Sequence, residues 1–265
     1  MRKWIALGIF ISACLLVKGQ TPHVIIKEFG DSSLINSGKA VIQTSSGSIY
    51  YAGHSVDAFN HFCIHFDKLN DNGDVLFTHY FFGPQQQAVM ERMMQHPDGT
   101  FIITGTSTDS TGATSPLLMK IDSNGTLIWQ RTYSNGIANG SFLGLNIRSD
   151  GEILCSGFTT DTAMPFIGFL CIRTDADGNV LLNKVFSESS ISVSGACSFT
   201  PDGNLLLGGD IDMGSGHYSQ HILLADSNGN EIWQNTVDNR LNGGTKNMMT
   251  DSNGDIVVVG ECATD

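Results

Sequence analysis

Positive charge is scarce in this sequence. Its 265 residues contain 14 Lys and Arg against 26 Asp and Glu, which gives a formal net charge of −12. A surface with this balance repels phosphate backbones and anionic lipid headgroups. We therefore predict no nucleic-acid partner. We interpret the carboxylates, most of which fall in predicted turns, as a source of solubility.

Local signatures of catalysis are also missing. The sequence contains no Gly-x-Ser-x-Gly, no His-Glu-x-x-His and no P-loop. These absences remove the strong local signals for a serine hydrolase, a zinc protease and an NTPase. We predict no cofactor and no catalytic residue from motifs. Whether the chain is an enzyme stays open, and a protein without catalysis is favoured.

No apolar run is long enough to cross a membrane. The longest covers residues 4–17, short of the roughly 20 residues that span a bilayer, and it follows the basic pair Arg2 and Lys3. Small residues stand where a signal peptidase reads, at Val17 and Gly19. We therefore predict no transmembrane segment.

These features together predict a signal peptide over residues 1–19 and a mature chain that begins at Gln20. The mature protein is expected to be exported, to the extracellular space or the outer cell surface. Residues 11–14 also have the form of a lipobox, so lipoprotein anchoring at Cys14 is the alternative. We favour export without an anchor because the apolar core continues past that cysteine.

Cysteine is sparse and irregularly placed. Only six are present, with no CxxC spacing and no shared repeat position. Cys155 and Cys171 lie on predicted neighbouring strands, so a disulfide in an exported protein stays open. We favour core side chains, since Cys197 stands where other repeats have Met93 or Leu145.

What the sequence does have is a repeat of about 52 residues. Each unit opens with a turn that ends in glycine, continues with an apolar run, and has a second glycine six residues after the first. A later turn glycine is followed, four positions on, by Phe77, Trp129, Leu182 or Trp233. The first turn glycines are Gly47, Gly99, Gly151, Gly203 and Gly254, and the second glycines are Gly53, Gly105, Gly157, Gly209 and Gly260. Self-similarity at this period indicates one supersecondary unit per repeat.

One repeat predicts four short antiparallel strands. In the second unit these cover residues 89–94, 101–105, 117–121 and 127–133, with tight turns at Gly99 and Gly125. Runs such as residues 205–207 and 256–259 are apolar continuously rather than alternately, which implies burial on both faces. A four-stranded blade between two other blades meets that condition. We therefore predict an all-β fold, a β-propeller of four-stranded antiparallel blades.

The predicted repeats lie near residues 37–85, 86–136, 137–189, 190–240 and 241–265, within an incomplete propeller over residues 20–265. Residues 25–29 match the fourth strand of a unit and predict an outer strand that precedes the first complete blade. We expect one outer strand, four complete blades and half of a fifth. We accordingly interpret the chain as a truncated product or a fragment of a longer propeller.

The repeat resembles that of a family of exported bacterial β-propeller proteins. The family unit has an Asp-Gly turn, an apolar run, a glycine, a polar loop, a second apolar run, Lys-x-Asp-x-x-Gly, and Trp with an aromatic residue four positions later. The second unit carries it at Asp98, Gly99, Gly105, Lys120, Asp122, Gly125, Trp129 and Tyr133. Departures are Asn70 for the aspartate, Leu224 for the lysine and Leu182 for the tryptophan. The resemblance implies a secreted or cell-surface location, often with a type IX secretion sorting domain, and no shared activity.

Two sequence patterns contain residue types that commonly bind metal ions. Asp-x-Asn-Gly segments begin at Asp122, Asp226 and Asp251, but they end at the glycine, whereas an EF-hand loop supplies ligands over twelve residues. We favour hairpin turns in which Asp and Asn bond their own backbone. Histidines cluster in the first repeat, among them His54, His61 and His65, yet they lie on different strands and loops. We favour surface or strand-filling roles and predict no metal site.

A further pattern is a recurring aspartate. Asp57, Asp109 and Asp161 lie ten residues after their turn glycines, in the loop between the second and third strands, and Asp212 lies one place short of that position. Carboxylates around one end of a propeller would suit a cation or a cationic ligand. The same residues suit Asx turns in a polar loop, which we favour.

The variable loops are the predicted binding surface. Loops between the second and third strands and between blades lie at the same end, and they vary in length and residue type while the tight turns do not. Their side chains suit a glycan or a protein surface. We predict a non-enzymatic binding or scaffold module; the alternative is a carbohydrate-active hydrolase or lyase with Asp57, Asp109 and Asp161 near the axis. The candidate binding residues are Asp57, Asp109, Asp161, Asp212, His54, His61, His217 and Tyr218.

Overall fold

In the computed structural model, the regular structure consists of strands. The residues described are 35–57, 59, 61–83, 87–133, 139–160, 167–186, 192–213, 218–237, 242–251 and 253–263. The predicted signal peptide (residues 1–19) and the predicted outer strand (residues 25–29) lie outside them. Across the described residues, no helix is long and apolar enough to span a membrane.

The strands are short and follow one another closely. Their bounds are β1 Ile35–Gln43, β2 Ile49–Val56, β3 Phe62–Leu69, β4 Val75–Phe81, β5 Gln87–Gln95, β6 Phe101–Thr108, β7 Thr114–Ile121, β8 Leu127–Thr132, β9 Asn139–Ile147, β10 Ile153–Thr160, β11 Ile167–Thr174, β12 Val180–Phe186, β13 Ser192–Phe199, β14 Leu205–Asp212, β15 Tyr218–Ala225, β16 Glu231–Val237, β17 Asn242–Thr250 and β18 Ile256–Ala263.

Each set of four consecutive strands forms one antiparallel sheet in chain order. Sheets β1–β4, β5–β8, β9–β12 and β13–β16 are blades 1 to 4, and β17 with β18 is half-blade 5. The first strand of each blade contacts the first strand of the next, from β1 to β17, so these five are the inner strands around the axis. This arrangement confirms the predicted β-propeller of four-stranded blades.

The packing between blades explains the continuous apolar runs. Adjacent residues Ile102 and Ile103 on β6 are both fully buried, the first against blade 3 and the second against blade 1. The central strands β6, β10 and β14 share this two-sided burial. In half-blade 5, by contrast, Val257 and Val259 are exposed while Val258 packs on blade 4.

The buried cysteines are core side chains. Cys63, Cys155, Cys171 and Cys197 are free thiols. Cys155 lies opposite Ile172 and Cys171 lies opposite Ser156, so the two sulfurs point to opposite faces of blade 3. Cys155 therefore packs towards blade 2 and Cys171 towards blade 4. Because the two side chains lie on opposite faces of the sheet, Cys155 and Cys171 cannot form a disulfide. This agrees with the interpretation of the cysteines as core side chains.

The second glycine of each repeat marks a β-bulge in the inner strand. The register of every inner strand shifts by one residue beside it, and the unpaired residues are Lys39, Glu91, Leu143, Gly195 and Lys246. A bulge bends the strand that carries it, and a carbonyl oxygen of the bent inner strand lies close to the second glycine. A Cβ atom on Gly105 would collide with the carbonyl oxygen of Val89, and Gly53 and Gly157 are constrained in the same way. The repeat needs glycine there because only glycine allows this approach.

The turn glycines serve a second purpose between blades. Gly125 and Gly178 have φ values of +81° and +76°, which favour glycine in the third-to-fourth-strand turns. The Trp129 ring of blade 2 also packs over Gly178 of blade 3, where a Cβ would lie 3.0 Å from the ring. The repeated tryptophan and the repeated glycine are thus partners across a blade boundary.

Candidate functional site

The two ends of the blades differ in character. Tight turns join the first strand to the second and the third to the fourth, and in these Asp122 Oδ1 accepts hydrogen bonds from the N–H groups of Asn124 (2.9 Å) and Thr126 (2.7 Å). The loops between second and third strands lie at the opposite end, together with the connections between blades. We call that end the variable-loop face.

Asp57 organises the variable loop of blade 1. Its Oδ1 accepts hydrogen bonds of 2.8 Å from the backbone N–H groups of Phe59 and His61, and its Oδ2 lies 3.1 Å from His61 Nδ1. The N–H of His61 and then that of Phe59 hold the pKa of Asp57 below its ordinary value. The carboxylate therefore remains ionised and fixes the backbone of its own loop.

Asp109 plays the same part in blade 2. Its Oδ1 accepts hydrogen bonds from the Thr111 hydroxyl (2.7 Å), the Thr111 N–H (2.8 Å) and the Ala113 N–H (3.0 Å). The Thr111 hydroxyl contributes most to holding the pKa of Asp109 below its ordinary value. Asp57 and Asp109 lie at corresponding places in two blades, between the second and third strands, and each binds its own loop.

The other candidate residues are dispersed. Asp212 is the last residue of β14 and lies opposite Tyr218, which is partly exposed. His54 lies on β2, where burial lowers its pKa and the Lys39 ammonium lowers it further. Asp161 and His217 lie outside the described residues. Within the described chain, no three His, Cys, Asp or Glu side chains are grouped so as to hold a metal ion.

Apolar side chains project from the variable-loop face. Phe59 is 80% exposed at the loop that Asp57 fixes, and its ring centroid lies 6.2 Å from that of His61. Three more are exposed at this end, in the connections after β4 and β14 and at the start of β15: Phe82, Met213 and Tyr218. Exposed aromatic rings on a fixed loop provide contact area at little entropic cost.

A second feature lies on the propeller axis. A cleft of about 260 Å³ is bounded by residues of the inner strands β5, β9, β13 and β17 and by one residue of β14. Four of the five bulge residues line it, and the bulge re-aims the side chains of three of them, Glu91, Leu143 and Lys246. We call it the axial cleft, and its lining residues are Glu91, Arg92, Leu143, Val193, Gly195, Asp210, Thr245 and Lys246.

Charged groups meet in the axial cleft. Lys39 Nζ lies 3.2 Å from Glu91 Oε2 and thus pairs blade 1 with blade 2. Arg92 donates from Nη2 to the carbonyl of Lys246 (3.2 Å), which connects blade 2 to half-blade 5. Its Nη1 donates to the carbonyl of Glu91 (3.4 Å). The guanidinium is therefore held by carbonyl oxygens in a site with mixed charge.

In blades 2 and 4, the residue after the second glycine reaches the next blade. Thr106 Oγ1 lies 2.5 Å from Ser141 Oγ of β9, and Asp210 Oδ1 accepts a 2.8 Å hydrogen bond from the Thr245 N–H of β17. His54 occupies the corresponding position in blade 1. These contacts lie beside the bulges and set the spacing of the inner strands around the cleft.

Sequence reasoning missed the axial cleft. The bulge positions recur with the repeat period, but they are occupied by lysine, glutamate, leucine, glycine and lysine. No shared residue type therefore identifies these positions in the sequence. One signal was available: a position that varies in charge and size among the repeats recurs fourteen residues before each second glycine. Variation at one repeat position is what a binding site built from several blades requires.

Comparison with known proteins identifies the fold but not the activity. No family model matches the sequence, and no curated protein matches it. Among solved structures, a protein of unknown function from Dyadobacter fermentans is similar, with a TM-score of 0.57 and 14% identity over 89% of this chain and 77% of that one. At such identity the likeness shows a shared fold only.

Other similar structures belong to enzymes. An endo-arabinase from Bacteroides thetaiotaomicron has a TM-score of 0.47 and 14% identity over 86% of this chain and 89% of that one. A gluconolactonase from Xanthomonas campestris has a TM-score of 0.44 and 10% identity over 86% of this chain and 84% of that one.

Proposed function

We propose that this protein is an extracellular or cell-surface β-propeller that acts as a non-enzymatic binding or scaffold module through its variable-loop face. The observation that carries the proposal is Phe59, which is 80% exposed on a loop whose backbone Asp57 fixes with two hydrogen bonds. An apolar ring that is presented to solvent beside hydrogen-bonded backbone is suited to recognition.

Glycans and protein surfaces are the ligands that this face suits. Aromatic rings stack on the C–H faces of sugars or on apolar side chains, and neighbouring hydroxyl and imidazole groups provide hydrogen bonds. Phe59 lies beside His61, and Tyr218 of blade 4 is exposed at the same end. Of the two classes, glycans are the first to test, since polysaccharides are available as defined probes.

The pKa values of Asp57 and Asp109 argue against a general-acid role for these two carboxylates. A general acid needs a carboxyl group that is protonated near neutral pH, which requires a raised pKa. The pKa values of Asp57 and Asp109 are instead lowered by hydrogen bonds from their own loops. Their oxygens are engaged by backbone N–H groups, so their role is to shape the loops.

The proposed location rests on the N-terminal sequence. Arg2 and Lys3 precede the apolar residues 4–17, and Gly19 completes a cleavage site before Gln20. N-terminal sequencing of the native protein tests this proposal. A mature chain that begins at Gln20 supports export, a lipid on Cys14 selects the anchored form, and an intact Met1 contradicts export.

Affinity electrophoresis through gels that contain a panel of neutral and uronate-containing polysaccharides tests the binding function. Wild-type protein should be retarded by at least one polymer, and Phe59→Ala should weaken binding about tenfold or more. Ile128→Ala is the matched control because Ile128 is also exposed but lies on the outer strand β8. It should bind as the wild type does.

A reducing-end assay on the same polymers separates binding from catalysis. Binding without release of new chain ends supports the proposal. Turnover that disappears in Asp109→Asn, with the fold intact by circular dichroism, would replace the binding module with the carboxylate enzyme.

A further inference from the structure

We propose that the axial cleft is a subsite for one uronic acid residue, with Arg92 binding the carboxylate of the sugar. The inference rests on the proposed function in its general form, binding without turnover. It uses residues other than those of the variable-loop face, so the two can fail separately.

Arg92 provides the recognition of charge. Its guanidinium has two carbonyl partners, on Glu91 and Lys246, and no carboxylate partner within the described part of the chain. Guanidinium groups bind carboxylates through two parallel hydrogen bonds, which is stronger and more directional than contact with carbonyls. Lys246 lines the same cleft, where it and Arg92 offset the carboxylates of Glu91 and Asp210.

Thr245 provides a second, independent indication of a ligand. Its side chain is 3% exposed, it lines the cleft, and its hydroxyl is buried without a hydrogen-bond partner in the described structure. Its methyl group is turned towards Gly208, where a Cβ would lie 3.0 Å from it. A buried hydroxyl that lacks a partner costs free energy, and a ligand hydroxyl would remove that cost.

The volume of the cleft and its other lining side chains favour a sugar as the ligand. Its volume of about 260 Å³ is just below the roughly 300–1,000 Å³ of pockets for drug-sized ligands, which suits a ligand of one ring. Leu143 and Val193 form an apolar wall for the C–H face of a ring. Glu91 offers acceptor oxygens for sugar hydroxyls. An acidic protein side chain would bring the carboxylate but no hydroxyl groups for Glu91 and Thr245.

Isothermal titration calorimetry of the full chain with D-glucuronate, D-glucose and acetate tests the assignment. Glucuronate should bind, and glucose and acetate should each bind about tenfold or more weakly, because each lacks half of the recognised groups. Arg92→Met should weaken glucuronate binding by a similar factor. Arg131→Met is the matched control, since Arg131 lies on the outer strand β8 away from the cleft.

Two further variants keep the test valid where Arg92→Met fails to fold. Arg92→Lys retains the charge but not the paired donors and should weaken binding severalfold. Thr245→Val keeps the shape, removes the hydroxyl, and should weaken glucuronate and glucose alike. Acetate binding equal to glucuronate binding, no glucuronate binding, or binding unchanged in Arg92→Lys and Thr245→Val would each overturn the sugar subsite. Glucuronate binding that persists in Phe59→Ala, while polymer binding is lost, would retain both proposals.

Discussion

The Asp210 carboxylate of blade 4 accepts a 2.8 Å hydrogen bond from the backbone N–H of Thr245 in half-blade 5. Asp210 follows the second glycine of its repeat, and Thr245 precedes the bulge residue of the next inner strand. Thr106 and Ser141 make the equivalent connection between blades 2 and 3. In blades 2 and 4, the same repeat position therefore joins neighbouring blades through a side-chain contact beside the bulge.

Loss of this contact should destabilise the C-terminal side of the propeller. Asp210→Ala leaves the Thr245 N–H without its acceptor and is expected to lower the free energy of unfolding by about 1–3 kcal/mol. Asp210→Asn keeps an acceptor oxygen and should lower it by less. Urea unfolding followed by circular dichroism measures both. Equal losses in the two variants would show that the charge, rather than the hydrogen bond, stabilises this boundary.

The second glycine should be far less replaceable than a glycine in an open turn. A Cβ at Gly105 would collide with the Val89 carbonyl, so Gly105→Ala should lower the free energy of unfolding by more than about 3 kcal/mol. Gly112 has a φ of +87° but nothing within 4 Å of an added Cβ. Gly112→Ala should therefore cost only about 1 kcal/mol, from backbone conformation alone. Similar melting temperatures for the two variants would contradict the collision.

The four strands of a blade could be predicted from the sequence because the residues that determine them lie within one repeat. Turn glycines, apolar runs and the spacing between Gly99 and Gly125 lie within one repeat, and they predicted the four strands of blade 2. The two-sided burial of residues such as Ile102 and Ile103 followed from a continuous run. The sequence could not predict why glycine recurs at the position of Gly105. The carbonyl that excludes a side chain there belongs to a bulge in a different strand.

Only part of the candidate site could be predicted from the sequence. The Asp57 and Asp109 loops were located correctly, since Asx turns depend on residues two and four positions away. The axial cleft depends on contacts such as that between Arg92 and Lys246, which are 154 residues apart. No sequence period connects those two residues. Only the closing of the blades around an axis brings them together.

The four free cysteines should be inert in the folded protein. Burial raises the pKa of Cys155 and Cys171, and it raises that of Cys197 to about 12. The reactive thiolate is then negligible at neutral pH, and the sulfurs are also inaccessible. Iodoacetamide labelling with peptide mass spectrometry should modify them, together with Cys63, only after guanidinium is added. A Cys155–Cys171 disulfide, or labelling of either residue in the native state, would contradict the structure.

Acid should weaken the boundary between blades 2 and 3 through Asp98. This carboxylate lies 2.9 Å from Lys120 Nζ, which also donates to the Ala176 carbonyl of blade 3 (3.1 Å). Burial acts in the opposite direction, but hydrogen bonds from Thr100 and Lys120 hold the pKa of Asp98 well below its ordinary value near 3.8. Because the folded pKa is lowered, the stabilisation is present above about pH 4 and is lost as the pH falls towards the folded value.

The measurement is the melting temperature of wild type and Asp98→Asn between about pH 6 and pH 2. The wild type should be the more stable of the two near neutral pH, and the difference should shrink on acidification because the unfolded chain protonates Asp98 at a higher pH than the folded protein does. Glu152→Gln is the control, since Glu152 pairs with Arg148 (2.9 Å) and not with Lys120. A difference between wild type and Asp98→Asn that stays constant with pH would mean that the charge of Asp98 does not stabilise the boundary.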